Sequence, residues 1–226
     1  IRPMTGAEEQ ILATPRYVKK GEAVNMIINQ CLRENYNSQN LITADRTYIL
    51  IYLRGISYTN LYDVEVRCPF TDRQFPYEID LNDLDLDLCP DSFSTSSLTG
   101  TLPNSGFSFS YRLSTGLDEQ KIQSRKDEKT KHFESASTGD DTLLYRTVQL
   151  LDEIEGLANK NELLSLMKRL PINDVAHLRN TVNEPPFGVD TKVEIISPYA
   201  AQEFEIDLPL ESNFFFPRRK TTQRAS

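Results

Sequence analysis

The side chains able to do chemistry are few and widely spaced. Cys31, Cys68 and Cys89, with His132 and His177, are all the thiols and imidazoles in 226 residues. An odd number of distant cysteines argues against a disulfide framework and predicts reduced, mostly buried thiols. A structural zinc site needs four converging ligands, commonly two per knuckle in the spacing C-x-x-C. Cys68-Pro69 opens such a knuckle but Thr71 stands in its fourth position, and in a second one, Ser197-Pro198-Tyr199, the fourth is Ala200. Four deprotonated soft ligands cannot be assembled from these residues, so neither a metal nor another cofactor is expected. Packing of Phe70, Phe75 and Tyr199 is expected in its place.

Catalytic constellations fail on residue type or spacing. His132 lies in a polar stretch, and His177 lies on a short helix beside Leu178, with no G-x-S-x-G elbow anywhere to supply a nucleophile. There is no phosphate loop or dinucleotide fingerprint. Asp83, Asp85 and Asp87 suggest calcium, but a calcium loop counted from Asp83 needs Gly and Glu where the chain has Leu88 and Ser94. These absences predict a protein that is not an enzyme. A net charge of -8 and the lack of tryptophan disfavour nucleic acid as a partner, since phosphate binding needs clustered Lys and Arg. Only residues 218–226, with Arg218, Arg219, Lys220 and Arg224, are basic, and they read as a polar tail.

The elements that would position these residues follow from periodicity. Thr5-Gly6-Ala7-Glu8 has the form of a capping box and predicts a helix over about 6–13, with Pro15 stopping it. Val24, Ile27, Ile28, Cys31 and Leu32 mark a second helix after Gly21. Tyr48, Ile49, Tyr52, Leu53 and Ile56 mark a third from about Thr43, with Asp45 in its first turn. At Tyr62 the period falls to two. Tyr62, Val64 and Val66, then Phe75, Tyr77, Ile79 and Leu81, predict a hairpin, which the alternation of Asp83, Asp85 and Asp87 with leucines extends; a further strand is expected at 107–113. The segment 114–140 shows no sustained period and reads as a polar linker or excursion. Helices are expected at 141–159, 161–170 and 173–183, and a last hairpin at 193–196 and 204–208. The class is α+β, with small antiparallel sheets. Its division would be a helical cap plus hairpin over 1–113, the linker 114–140, a helical block plus hairpin over 141–217, and the basic tail.

The two hairpins resemble each other. Val64-Glu65-Val66, Cys68-Pro69-Phe70 and Phe75-Pro76-Tyr77-Glu78-Ile79-Asp80-Leu81 match in order Val193-Glu194-Ile195, Ser197-Pro198-Tyr199 and Phe204-Glu205-Ile206-Asp207-Leu208, with Tyr77–Leu81 against Phe204–Leu208 and the first loop reading two residues longer. The reading is a helix–hairpin unit built twice, with degenerate zinc-ribbon-like hairpins. Near the end, Phe214-Phe215-Phe216-Pro217 cannot all face one side of a strand, so at least one ring is expected to meet another element or another chain.

Four segments together resemble the baseplate-hub assembly proteins of T-even-like contractile-tailed bacteriophages. They are the opening Arg2–Glu9, Ala44-Asp45-Arg46 where that family has Gly-Asp-Arg, the degraded knuckle hairpin Val64–Leu81, and the closing aromatics. The resemblance implies a non-catalytic part or assembly chaperone of the baseplate hub, touching hub, spike or tape-measure proteins. Its partner-binding residues would be Phe214, Phe215 and Phe216. Asp45 and Arg46 would form a structural anchor, Asp45 capping its helix and Arg46 reaching a carboxylate; Thr5, Glu8, Cys68, Pro69 and Pro198 would hold the frame. No apolar run reaches the ~18 residues of a membrane span, and Ile1–Met4 does not resemble a signal peptide. The expectation is therefore a host-cytoplasmic protein during assembly, which either stays in the virion tail baseplate or leaves after assembly, without membrane or nucleic-acid partners. The competing reading is a zinc-ribbon-derived nucleic-acid or regulatory adaptor, with Cys68 and Cys89 as ligands shared across an oligomer.

Overall fold

The computed structural model describes residues 1–19, 21–93, 98–132, 142–210 and 212–215. It is an α+β fold of short helices and small antiparallel sheets. The amino-terminal helices are α1 (Gly6–Leu12), α2 (Pro15–Lys19), α3 (Glu22–Cys31) and α4 (Thr43–Ser57). They lead into the hairpin β1 (Leu61–Arg67) and β2 (Gln74–Asp80), then β3 (Leu86–Asp87), β4 (Leu98–Thr101) and β5 (Ser108–Tyr111). After α5 (Gly116–His132) and α6 (Thr142–Leu150) come β6 (Leu151–Ile154), α7 (Lys160–Met167) and α8 (Ile172–Asn183). The chain then forms β7 (Gly188–Val189), the hairpin β8 (Lys192–Ile196) and β9 (Glu203–Asp207), and a 3-10 turn at Ser212–Phe215.

Two apolar cores hold these elements. In the first, α1, α3 and α4 close over both hairpins: Ile27, Ile28, Cys31 and Leu53 lose all solvent contact, and Tyr62, Val64 and Val66 point inward from β1 as its alternation dictates. In the second, β4, β5 and β6 form one sheet in that order, packed by Val148, Leu150, Leu163, Met167 and Leu178. A seam of Ala44, Leu113 and Phe187 lies apart from both. At Gly188, φ is +126°, and an added Cβ would sit 3.1 Å from that of Ala44. The alanine of the Ala44-Asp45-Arg46 motif is therefore accommodated opposite a residue that has no side chain.

Several expectations change. The halves 1–113 and 141–217 are not separate packing units, because β5 pairs with β6 while the last hairpin returns to the first core. Of the segment 114–140, residues 116–132 form α5; Arg46 and Asp118 fix its first turn, an anchor that periodicity does not register. Residues 133–140 lie outside the described residues. The helix expected over 141–159 ends at Leu150. Leu151–Ile154 instead joins the sheet, because Leu151 and Ile154 face the core across β5, and Glu155 and Gly156, both at positive φ, turn the chain. Residues 98–101 form a strand although the stretch 92–106 is rich in Ser, Thr and Gly. The alternation over 83–88 yields only the two-residue β3, paired with β7.

Candidate functional site

The knuckles of the two hairpins meet face to face. Cys68 Sγ lies 3.0 Å from Ser197 Oγ, and both residues are buried. Each knuckle is built alike. Proline in the second position presets the turn. The Cys68 amide donates to Arg73 O and that of Ser197 to Gln202 O, each at 2.9 Å. The amides of Asp72 and Ala201 donate back to Cys68 O and Ser197 O, again at 2.9 Å. Asp72 and Ala201 both adopt positive φ, 61° and 52°. The pairings Val66 with Phe75 and Ile195 with Phe204 are then equivalent, so the loops have equal length and the longer first loop expected from sequence does not exist. Matching Tyr77–Leu81 with Phe204–Leu208 by residue type sets the second strand two residues out of this register.

The rings obey the same symmetry. Phe70, from the first knuckle, packs edge-on against Phe204 of the other hairpin at 6.1 Å, and Tyr199, from the second, packs against Phe75 at 6.0 Å. The hairpins are thus related by a local two-fold axis passing between Cys68 and Ser197. Burial pushes the Cys68 thiol up, but hydrogen bonds from Ser197, from the Thr71 side chain and from the amides of Phe70 and Thr71 outweigh it and hold it at about 7. Among the described residues no three His, Cys, Asp or Glu side chains cluster as metal ligands, and Cys89 is exposed whereas Cys68 is buried.

Two further clasps share a pattern that sequence reasoning missed. Arg2 forks onto Glu8 at 3.2 and 2.7 Å, while the Thr5 amide and hydroxyl donate to Glu8 Oε2 at 2.7 and 2.8 Å. Arg112 forks onto Asp118 at 2.6 and 2.8 Å, and the Thr115 amide and hydroxyl donate to Asp118 Oδ2 at 3.0 and 2.9 Å. The shared signal, Arg-x-x-Thr-Gly-x-Glu/Asp, is present in the sequence at Arg2–Glu8 and Arg112–Asp118. The Arg2 hydrogen bond holds Glu8 at about 2 against burial. For Asp118, burial raises the carboxyl, but Arg112 and Thr115 bring it to about 2. Arg46, almost fully buried, reaches Glu119 at 3.2 Å and Ser38 O at 2.8 Å, tying α4 to α5. The cap position of α4 is Ile42, not Asp45, and no side chain caps it.

Phe214 and Phe215 do not form a free docking patch. They are 0% and 4% exposed, and Phe214 lies edge-on to Tyr62 at 5.1 Å. Arg54, itself 1% exposed, donates to Phe214 O and to Leu61 O, with its guanidinium over the Tyr62 and Phe214 rings. The protein's own core uses both rings: Phe214 packs on Tyr62 and beneath the Arg54 guanidinium, and Phe215 lies edge-on to Phe214 at 5.1 Å. Phe216 lies outside the described residues.

Part of what the hairpins leave outward is acidic, beside the exposed side chains of Leu61, Phe70, Ile196 and Tyr199. An open groove of about 480 Å³ between them is walled by Glu78, Asp80, Asp83, Asp85, Asp190, Glu194 and Glu205, with Lys192 as its cation. Glu194 and Glu205 face each other across the β8–β9 ladder, both exposed. On α4, Tyr48 and Tyr52 stack at 6.3 Å and are nearly half exposed. His177 is exposed, with the Phe109 ring edge-on at 6.2 Å; the neighbouring Asp174 carboxylate accepts the amides of Asn104 and Ser105. No described helix is long and apolar enough to cross a membrane.

These features define an α+β protein in which the Cys68 thiol joins the two hairpins and buried charged side chains clasp its helices to their neighbours. The chain belongs to the T4 bacteriophage base plate protein family, whose model matches residues 1–215. Membership gives it a structural role in a phage tail baseplate, in contact with other tail or baseplate proteins. No curated protein and no solved structure matches the chain.

Proposed function

We propose that the protein is a non-catalytic component of the baseplate hub, or a chaperone of hub assembly, that works through the outer faces of its paired hairpins. The observation that carries this reading is the opposition of Glu194 and Glu205 beside the acidic groove. Like charges directly opposite on a ladder destabilise it. A cationic face on a hub, spike or tape-measure protein would relieve that repulsion on docking, and would recognise the groove through charge-assisted contacts. Exposed Tyr48 and Tyr52 add a second contact area of the amphipathic kind enriched at interfaces.

Affinity purification of the tagged protein from infected cells tests the reading. Recovery of hub, spike or tape-measure proteins supports it, with lower recovery as salt is raised, because rim charges are screened. Recovery only of unrelated proteins, or a hydrolytic activity lost in His177→Ala, contradicts it.

A further inference from the structure

The two-fold junction of the hairpins carries an inference independent of which tail protein docks outside. We propose that residues 68, 71, 197 and 200 are the four corners of a metal centre that this chain has converted into a hydrogen-bonded lock, a site that three cysteines would return to binding zinc.

Positions one and four of each knuckle are where a ribbon presents its ligands, and here they are Cys68 and Thr71, Ser197 and Ala200. The backbone still carries the donor pattern suited to a ligand sulfur. In the first knuckle the amides of Phe70 and Thr71 hydrogen-bond Cys68. In the second, those of Tyr199 and Ala200 donate to Ser197 Oγ at 3.3 and 3.1 Å. These two amides occupy the acceptor capacity of the Ser197 hydroxyl, so its proton points at Cys68 Sγ, 3.0 Å away. In a tetrathiolate site, with Zn–S near 2.3 Å, the sulfurs stand about 3.8 Å apart. The junction is closed relative to that distance by about 0.8 Å, a gap a hydrogen bond spans and a metal would reopen. The ring pairs Phe70–Phe204 and Phe75–Tyr199 flank the junction and hold the hairpins across it. A thiol, two hydroxyls and a methyl group do not fit zinc; four thiolates at the same corners would bind it, each cysteine releasing its proton on coordination.

The test is the triple variant T71C/S197C/A200C of the full chain, purified reduced and titrated with zinc and with cobalt(II). The expected result is one zinc per chain, the absorption bands of tetrahedral cobalt thiolate and a raised Tm, with wild type binding less than a tenth of that amount. A variant that is unfolded without metal and folds on adding zinc gives the same answer, because binding and folding are then coupled. A variant that folds yet takes up no zinc, or that stays unfolded with zinc present, overturns the proposal. The exchange variant C68S/S197C checks the two-fold relation without metal. It is expected to melt closer to wild type than C68A/S197A does, and a Tm no higher than that of C68A/S197A would also overturn the assignment.

Discussion

Cys68 Sγ and Ser197 Oγ meet at 3.0 Å, 129 residues apart in sequence, and each occupies the first position of its knuckle. The contact joins the first hairpin to the last, so the strands nearest the two ends of the fold close one core. Because its hydrogen bonds hold the folded thiol at about 7, below the ordinary cysteine value of about 8.5, the thiolate is favoured by folding. That contribution is present above the unfolded value and is lost as pH falls through 7. Stability should therefore rise between about pH 7 and pH 8.5. In Ser197→Ala that rise should flatten and the unfolding free energy should fall by about 1 kcal/mol, as read by urea denaturation across this range.

At acid pH the clasps dominate. Glu8 and Asp118 are both held at about 2 in the folded protein, against about 4.3 and 3.9 when unfolded. Their stabilisation is complete above about pH 5 and lost as pH falls toward 2. Glu8→Gln and Asp118→Asn should each destabilise at neutral pH by about 1–3 kcal/mol, by leaving a forked arginine and a threonine amide poorly matched. Each should also have a shallower acid limb than wild type, measured by circular dichroism against pH.

Arg46 fixes α5. A Cβ on Gly116 would stand 2.5 Å from its Nη1, so Gly116→Ala must displace the guanidinium from Glu119 and Ser38 O. Gly116→Ala and Arg46→Ala should both speed amide exchange over 116–125 while leaving β1 and β2 protected. Exchange that accelerates equally everywhere would show that the anchor is not local.

Phe214 is a core residue despite its place near the carboxyl end. Phe214→Ala should cost about 3–5 kcal/mol, and Arg54→Lys should also destabilise, because an ammonium cannot fork to two carbonyls and stack on two rings. Denaturant midpoints measure both effects. By the same burial, Phe215→Ala should lower the unfolding midpoint rather than weaken partner binding.

The sequence made legible what repeats locally. The capping box at Thr5 and Glu8, the apolar faces of α3 and α4 and both hairpins follow from local spacing and from periods of 3.6 and 2. What stayed hidden depends on distant partners. Leu151–Ile154 continues the helical spacing of α6, and only its pairing with β5 makes it a strand. The amino-terminal part of α5 is set by Arg46 and Arg112 from outside it. The burial of Phe214 depends on Arg54, 160 residues away. The meeting of Cys68 with Ser197 required the two hairpins to be superposed with equal loops, which a match of Tyr77–Leu81 to Phe204–Leu208 obscured.

The most direct test of a surface-acting baseplate protein is the double variant Glu194→Gln/Glu205→Gln, measured for Tm and for binding to purified hub, spike and tape-measure proteins. The expected result is an unchanged or higher Tm, since an opposed pair of like charges is removed, together with binding at least tenfold weaker. Unchanged binding, or weaker binding accompanied by a lower Tm, would contradict it.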